Sequence, residues 1–239
     1  MSVALPALHD RLSFLAPLSG DRADRLAQWL ADGLDGGTVA DAGCGWAELL
    51  LRVTAAAPHS RAVGVDLADD LVAEGRRRAA SRGVADRVQL VVGDADEHVP
   101  AEVDALIAIG ASQIWGADVE EGEPLDYPAA LRAMRARLAR GGRLVYGEGI
   151  WSRPPTAEAT APLARRDDEF LFLPELLDLA AASGFEVVGA ADATLEEWDE
   201  FEAGFTATLS PGRATTQRAS YHQGYRGVLG FAHLQLVAV

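Results

Sequence analysis

The stretch Val39-Ala40-Asp41-Ala42-Gly43-Cys44-Gly45-Trp46-Ala47 decides the fold. A strand-like run enters a glycine-rich turn, and a helical pattern leaves it from Ala47 to Ala57. Glycine at 43 and 45 removes side chains where a ligand lies against the chain, and the helix start offers unpaired N–H groups. A dinucleotide turn wants a third glycine at position 48, but Glu48 stands there, an anion ill suited to a pyrophosphate. The D-x-G-x-G-x-A spacing therefore fits a ligand without phosphates.

Outward from this turn the pattern repeats. Strands are expected at Thr38 to Asp41, Ala62 to Asp66, Val88 to Val92, Val103 to Ile109 and Arg143 to Gly147. Helices over Leu67 to Ser81 and Pro128 to Ala139 lie between them, the latter ended by Gly141-Gly142 as a C-cap. Such alternation makes a parallel α/β sheet. A helix over Asp21 to Leu34 precedes the first strand, after an irregular arm, Met1 to Gly20, that either covers a site or frays. A loop (Trp151 to Asp168), a helix (Pro174 to Ser183) and strands Phe185 to Ala190 and Val228 to Val239 complete the chain. The helical insertion Thr194 to Arg226, before the last strand, is too long and aromatic for a hairpin loop. Its Leu195, Trp198, Phe201, Phe205 and Leu209 form one stripe of a helix ~22 Å long, which needs a surface to bury it.

Three features stand in register with the turn. Asp66 ends the second strand, where a carboxylate takes both hydroxyls of a ribose. Asp94-Ala95 follows the third, where an acid accepts the exocyclic amine of an adenine, and Gly110-Ala111 ends the fourth with small residues. On these residues, with Asp41, Gly43 and Gly45, the chain resembles the class I S-adenosylmethionine-dependent methyltransferases. Gly110 to Gln113, Tyr146 to Trp151, Glu197 to Glu202 and Leu229 to Ala232 further resemble a bacterial small-molecule subfamily, largely uncharacterised. The resemblance implies a Rossmann-like, seven-stranded, mostly parallel sheet with helices on both faces and an antiparallel last strand. It implies one domain over 1–239: an N-terminal arm and helix (1–36), a core (37–193), a lid-like insertion (194–226) and the last strand (227–239). S-adenosylmethionine is the cofactor it implies, held by Asp41, Gly43, Gly45, Asp66, Asp94, Ala95, Gly110 and Ala111. One departure is Ala47, where many members have glycine.

Residue types exclude whole branches. The chain has no [DN]PPY after the fourth strand, its one cysteine lies in the turn, and no acids end the fourth strand as in metal-dependent catechol-type enzymes. A metal-free transfer to a small-molecule acceptor is the expected reaction. Glu148, ending the fifth strand, and Glu202, inside the insertion's apolar stripe, are the candidates to orient or deprotonate an acceptor. Glu202 either reaches water at a rim or points at the acceptor. Trp115, Trp151 and Trp198 are the candidate acceptor-lining residues, and the five histidines show no metal-ligand spacing. Two other readings stay open: a binding protein that kept the pocket without transfer, and a nucleotide-dependent oxidoreductase.

The 239 residues carry 21 basic and 36 acidic groups, a net charge of -15, which repels nucleic acid. All the basic residues are arginine. With no lysine, Schiff-base chemistry and the P-loop are excluded. One cysteine suits a reducing compartment, and no apolar run approaches the ~20 residues of a membrane span, so a cytoplasmic, unprocessed protein is expected. The sequence does not speak to oligomeric state.

Overall fold

The computed structural model describes residues 7–34, 36–115, 124–163 and 165–239. At the centre lies β1 (Thr38–Ala42), parallel to β2 (Arg61–Asp66) and to β4 (Val103–Ile109), with Asp41 in register with Gly64 and Ile107. Beyond β2 runs β3 (Val88–Val92), and beyond β4 runs β5 (Leu138–Trp151). Next come β8 (Leu229–Ala238), antiparallel to β5, and β7 (Phe185–Asp192) at the edge, giving the order β3-β2-β1-β4-β5-β8-β7. Parallel neighbours put the carboxyl ends of β1, β2, β3, β4 and β5 on one side, where such sheets bind ligands.

Side-chain alternation splits the core between the two faces of the sheet. Val39, Ile107 and Val145 pack under α1 (Gly20–Ala31), α2 (Glu48–Ala56) and α3 (Asp69–Ser81). Ala40, Leu106, Leu144 and Tyr146 pack under α4 (Ala95–His98), α5 (Tyr127–Arg137) and α7 (Leu173–Ala182). A third cluster sits at the strand carboxyl ends, where Trp151 and Phe231 meet α6 (Ala157–Thr160), α8 (Leu195–Thr206) and the π-helical turn Tyr221–Tyr225 that follows α9 (Pro211–Ser220). Local chemistry starts these helices: Ser19, Asp126 and Thr194 each accept a backbone N–H of the first turn. Among the described residues no helix is long and apolar enough to cross a membrane.

The structure departs from the sequence reading in three places and resolves one alternative, that of the arm. The Gly141-Gly142 pair does not cap α5, which ends at Arg137; both glycines lie in β5, which starts at Leu138. There the pairing with β4 shifts register between Val103 and Ala105, and a Cβ on Gly142 would fall 2.9 Å from the Ala139 carbonyl oxygen. An eighth strand, β6 (Leu171–Phe172), pairs in parallel with the end of β5 at Ile150 and Trp151. The insertion is two helices, since α8 stops at Thr206 and Pro211 begins α9, leaving Leu209 in the turn. The arm does not fray over its described part: Leu12, Phe14, Ala16 and Leu18 are buried.

Candidate functional site

The glycine-rich turn is held open by backbone bonds. Gly43 and Cys44 donate their N–H groups to the Val65 carbonyl at 2.9 and 3.0 Å, tying the turn to β2. Gly43 (φ +72°) and Gly45 (φ +52°) adopt left-handed backbone, and so does Ala47 (φ +57°), where a side chain costs roughly 1–2 kcal/mol. Glycine at this position would carry no such cost. A Cβ on Gly43 would meet Ala111 at 3.3 Å and one on Gly45 would meet Leu15 at 3.3 Å. The two glycines thus form a cradle between the end of β4 and the arm.

Three acids border the turn in different states. Asp66 accepts the Gly45 N–H at 2.7 Å on one oxygen and the Ala68 N–H at 2.9 Å on the other, which leaves each oxygen a second lone pair. Asp41 is 5% exposed, and its carboxyl forms no hydrogen bond with any described residue. Burial, and then the charge of Asp66, push it up to about 8. Asp94 caps α4 through the Asp96 N–H at 2.9 Å and remains exposed, with its other oxygen free. Burial, and then Asp41 and Asp66, push the Cys44 thiol far up, which disfavours its thiolate. Glu48 pairs with Arg52 of its own helix and with Arg78 and Arg82, and the latter two tie α2 to α3.

The arm roofs this turn. Phe14, Leu15, Ala16 and Leu18 line one wall of a cleft whose other walls include Asp41, Gly43, Gly45, Ile107 and Ile109, and Trp46 Nε1 donates to the Ser13 carbonyl at 2.7 Å. A clasp fastens arm to insertion. Glu197 of α8 accepts from Ser19 Oγ at 2.6 Å, from Arg22 Nε at 2.8 Å and Nη2 at 2.7 Å, and from the Thr194 N–H at 2.8 Å. Burial would raise the Glu197 carboxyl, but the Arg22 and Ser19 bonds outweigh it and hold it well below the carboxylate range.

The candidates for catalysis and acceptor contact are not all brought together. Glu148, 5% exposed, lies on the Tyr146 face of β5, bound by the Ser112 hydroxyl and the Gly149 N–H (3.0 Å), while Ser112 Oγ also meets the Tyr146 hydroxyl at 2.6 Å. Burial pushes the Glu148 carboxyl up against those bonds. Glu202 does not stand unpaired: it is 6% exposed and accepts from Tyr225 and Gln217 of its own insertion. Trp198 and Trp151 share the aromatic cluster at the strand ends, with Trp151 Nε1 donating to the Asp167 carbonyl at 2.9 Å. Trp115 departs from the expectation. It is buried in the core of the opposite face beneath the Arg137 guanidinium, 5.1 Å from its ring, because β4 ends there in a tight turn.

The comparisons with known proteins agree with this geometry. A family model described as a methyltransferase domain matches residues 40–144, the span from β1 to β5. Escherichia coli YjhP, described as uncharacterized, is 30% identical over 178 residues, covering 73% of this chain and 67% of its own. The chain belongs to the class I S-adenosylmethionine-dependent methyltransferases. Two solved methyltransferases, both in complex with S-adenosylhomocysteine, share the fold of this one. That from Geobacter sulfurreducens has a TM-score of 0.82 at 24% identity, covering 100% of both chains. That from Thiobacillus denitrificans has 0.80 at 26%, covering 99% of this chain and 100% of its own.

Sequence reasoning missed two parts of this methyltransferase. The Glu197 clasp had a local signal, the Thr194-x-x-Glu197 capping box, but its partner Arg22 lies 175 residues away. His233 of β8 had none. It is 3% exposed on the arm-covered face, in register with Gly147, and neither ring nitrogen meets a partner among the described residues. Burial, then Arg22, hold its imidazolium down to about 4, with Glu197 opposing. Because the folded value lies below the unfolded one of about 6.5, the stabilising share is full above pH 6.5 and is lost as pH falls towards 4. Asp41, raised to about 8, adds stability over the same fall in pH, so the share of His233 is read as a difference: chemical denaturation across that window is expected to show the wild type losing on the order of 3 kcal/mol relative to His233→Leu; equal pH slopes in the two proteins would contradict the assignment.

Proposed function

We propose that the protein transfers a methyl group to a small organic acceptor by direct displacement, with no metal. The observation that carries this reading is Asp41: a buried, unpaired carboxyl on the glycine-rich turn, beside Asp66 with acceptor capacity to spare. Such a pair calls for a cationic ligand that also carries neighbouring hydroxyl donors, and S-adenosylmethionine has both. When bound, it supplies an electrophilic methyl whose leaving sulfur departs neutral, so no Lewis acid is required. Asp66 would take the ribose hydroxyls, the free oxygen of Asp94 the adenine amine, and Asp41 the ammonium. Gly43, Gly45, Gly110, Ala95 and Ala111 leave room for the ligand's flat face. The arm and α8, clasped by Glu197, exclude water and align the reactants, a contribution worth ~7–11 kcal/mol in favourable cases. Glu148 is the group positioned to hold a proton near the ends of β4 and β5.

Calorimetry against pH tests the cofactor half. In the free protein Asp41 is protonated below about 8, and a cationic ligand favours its ionised form, so binding at lower pH must release a proton. Affinity for S-adenosylmethionine is therefore expected to rise from pH 6 towards pH 7.5, by at most about tenfold per unit, with proton release visible in buffers of different ionisation heat. Asp41→Asn is expected to flatten that rise. A wild-type affinity independent of pH, without proton release, would remove Asp41 from this role.

A further inference from the structure

The insertion encloses a second space, separate from the cleft at the glycine-rich turn. Leu163 from the loop after β5, Phe201 and Phe205 of α8, and Leu229 of β8 wall a cavity of about 300 Å³. Its lining is mainly apolar, with polar groups from Glu202, Gln217 and Tyr225 and the indole N–H of Trp198, which meets no partner among the described residues. Gln217 Nε2 donates to Glu202 at 2.9 Å and to the Tyr225 hydroxyl oxygen at 2.8 Å, while that hydroxyl donates to the other Glu202 oxygen. Burial, with Glu202 beside it, keeps the Tyr225 phenol protonated and so an obligatory donor. Both hydrogen-bond partners of Glu202 are neutral, and no basic side chain lines this cavity, whereas Arg218, His222 and Arg226 share a separate pocket with Glu202. A carboxylate accepts about four hydrogen bonds, so among the described residues two positions on Glu202 stay open to a donor.

The cavity also stands in the right place. Trp198 and Phe201, which line it, belong to the aromatic cluster that includes Ile109 at the end of β4 and Ala16 of the arm, and those same two residues wall the cleft at the turn. We propose that this cavity holds the methyl acceptor, and that the acceptor is an apolar molecule of aromatic-ring size whose cationic amine head is anchored on Glu202. The assignment rests on the methyl-transfer reading above. A phosphate or carboxylate head is disfavoured, since it would face Glu202 across a space with no compensating cation. Glu202 anchors the head here and is not assigned the proton transfer.

The test is calorimetric titration of the full chain, in the presence of S-adenosylhomocysteine, with phenethylamine, phenethyl alcohol, hydrocinnamate and phenethyl phosphate. Phenethylamine is expected to bind most tightly, the alcohol more weakly, and the two anions at least about tenfold more weakly than the amine. Glu202→Gln is expected to bring amine and alcohol together, and Leu163→Trp, which fills the cavity, to abolish binding of all four. In both variants S-adenosylhomocysteine affinity should be unchanged. Anions that bind as well as the amine, no binding by the amine, or amine binding that survives Leu163→Trp would overturn the proposal. Loss of S-adenosylhomocysteine binding in the unaltered protein would instead overturn the methyl-transfer reading, so the two failures are separable.

Discussion

Glu197→Ala is expected to destabilise the protein by about 3 kcal/mol or more, because breaking a buried ion pair leaves its partner charge uncompensated. Arg22 keeps only 14% of its side chain exposed, and Ser19 loses the acceptor of both its N–H and its hydroxyl. The clasp joins residues from opposite ends of the chain, so its loss frees the arm from α8 together with lowering the denaturation midpoint. Urea titration gives the first effect, and protease cutting within residues 11–18 the second. A variant with the wild-type midpoint and an equally protected arm would show that the clasp contributes nothing. Arg22→Ala should have a similar effect, and the double variant should cost less than the sum of the two, as expected for groups in direct contact.

Asp66→Ala is expected to weaken S-adenosylmethionine binding at least tenfold. Hydrogen bonds to a charged acceptor contribute roughly 1.5–3 kcal/mol each, and two ribose hydroxyls lose theirs at once. The same substitution strips the Gly45 and Ala68 N–H groups of their acceptor, so the turn loosens as well as losing its contact. An unchanged affinity in folded Asp66→Ala would remove Asp66 from the site.

Which parts of the architecture could be read in advance follows from the range of the interactions involved. Strand β1 and its turn were legible because apolar alternation and glycine act within a few residues, and β3 and β4 fall at the expected Val88–Val92 and Val103–Ile109. Gly141-Gly142 misled because glycine serves a helix cap and a strand irregularity equally well, and only the register with β4 decides between them. The stripe through Leu209 misled because apolar spacing carries across a helix break when the chain reverses over the same surface. The apolar stripe leaves Glu202 two readings, at a rim or facing an acceptor, because its partner Tyr225 lies 23 residues further on, beyond any periodic signal. Trp115 and Trp151 look alike in sequence; the pleat and the turn after β4 send them to opposite faces of the sheet.

The central claim is that the cleft over Asp41, Gly43, Gly45 and Asp66 holds S-adenosylmethionine. The most direct test is mass spectrometry of the small molecules released when the protein, purified and incubated with S-adenosylmethionine, is washed and denatured. The expected result is S-adenosylmethionine or S-adenosylhomocysteine in near-equal amount to the chain, and its loss in Asp66→Ala. Release of a dinucleotide, or of no adenosyl compound at all, would contradict the account.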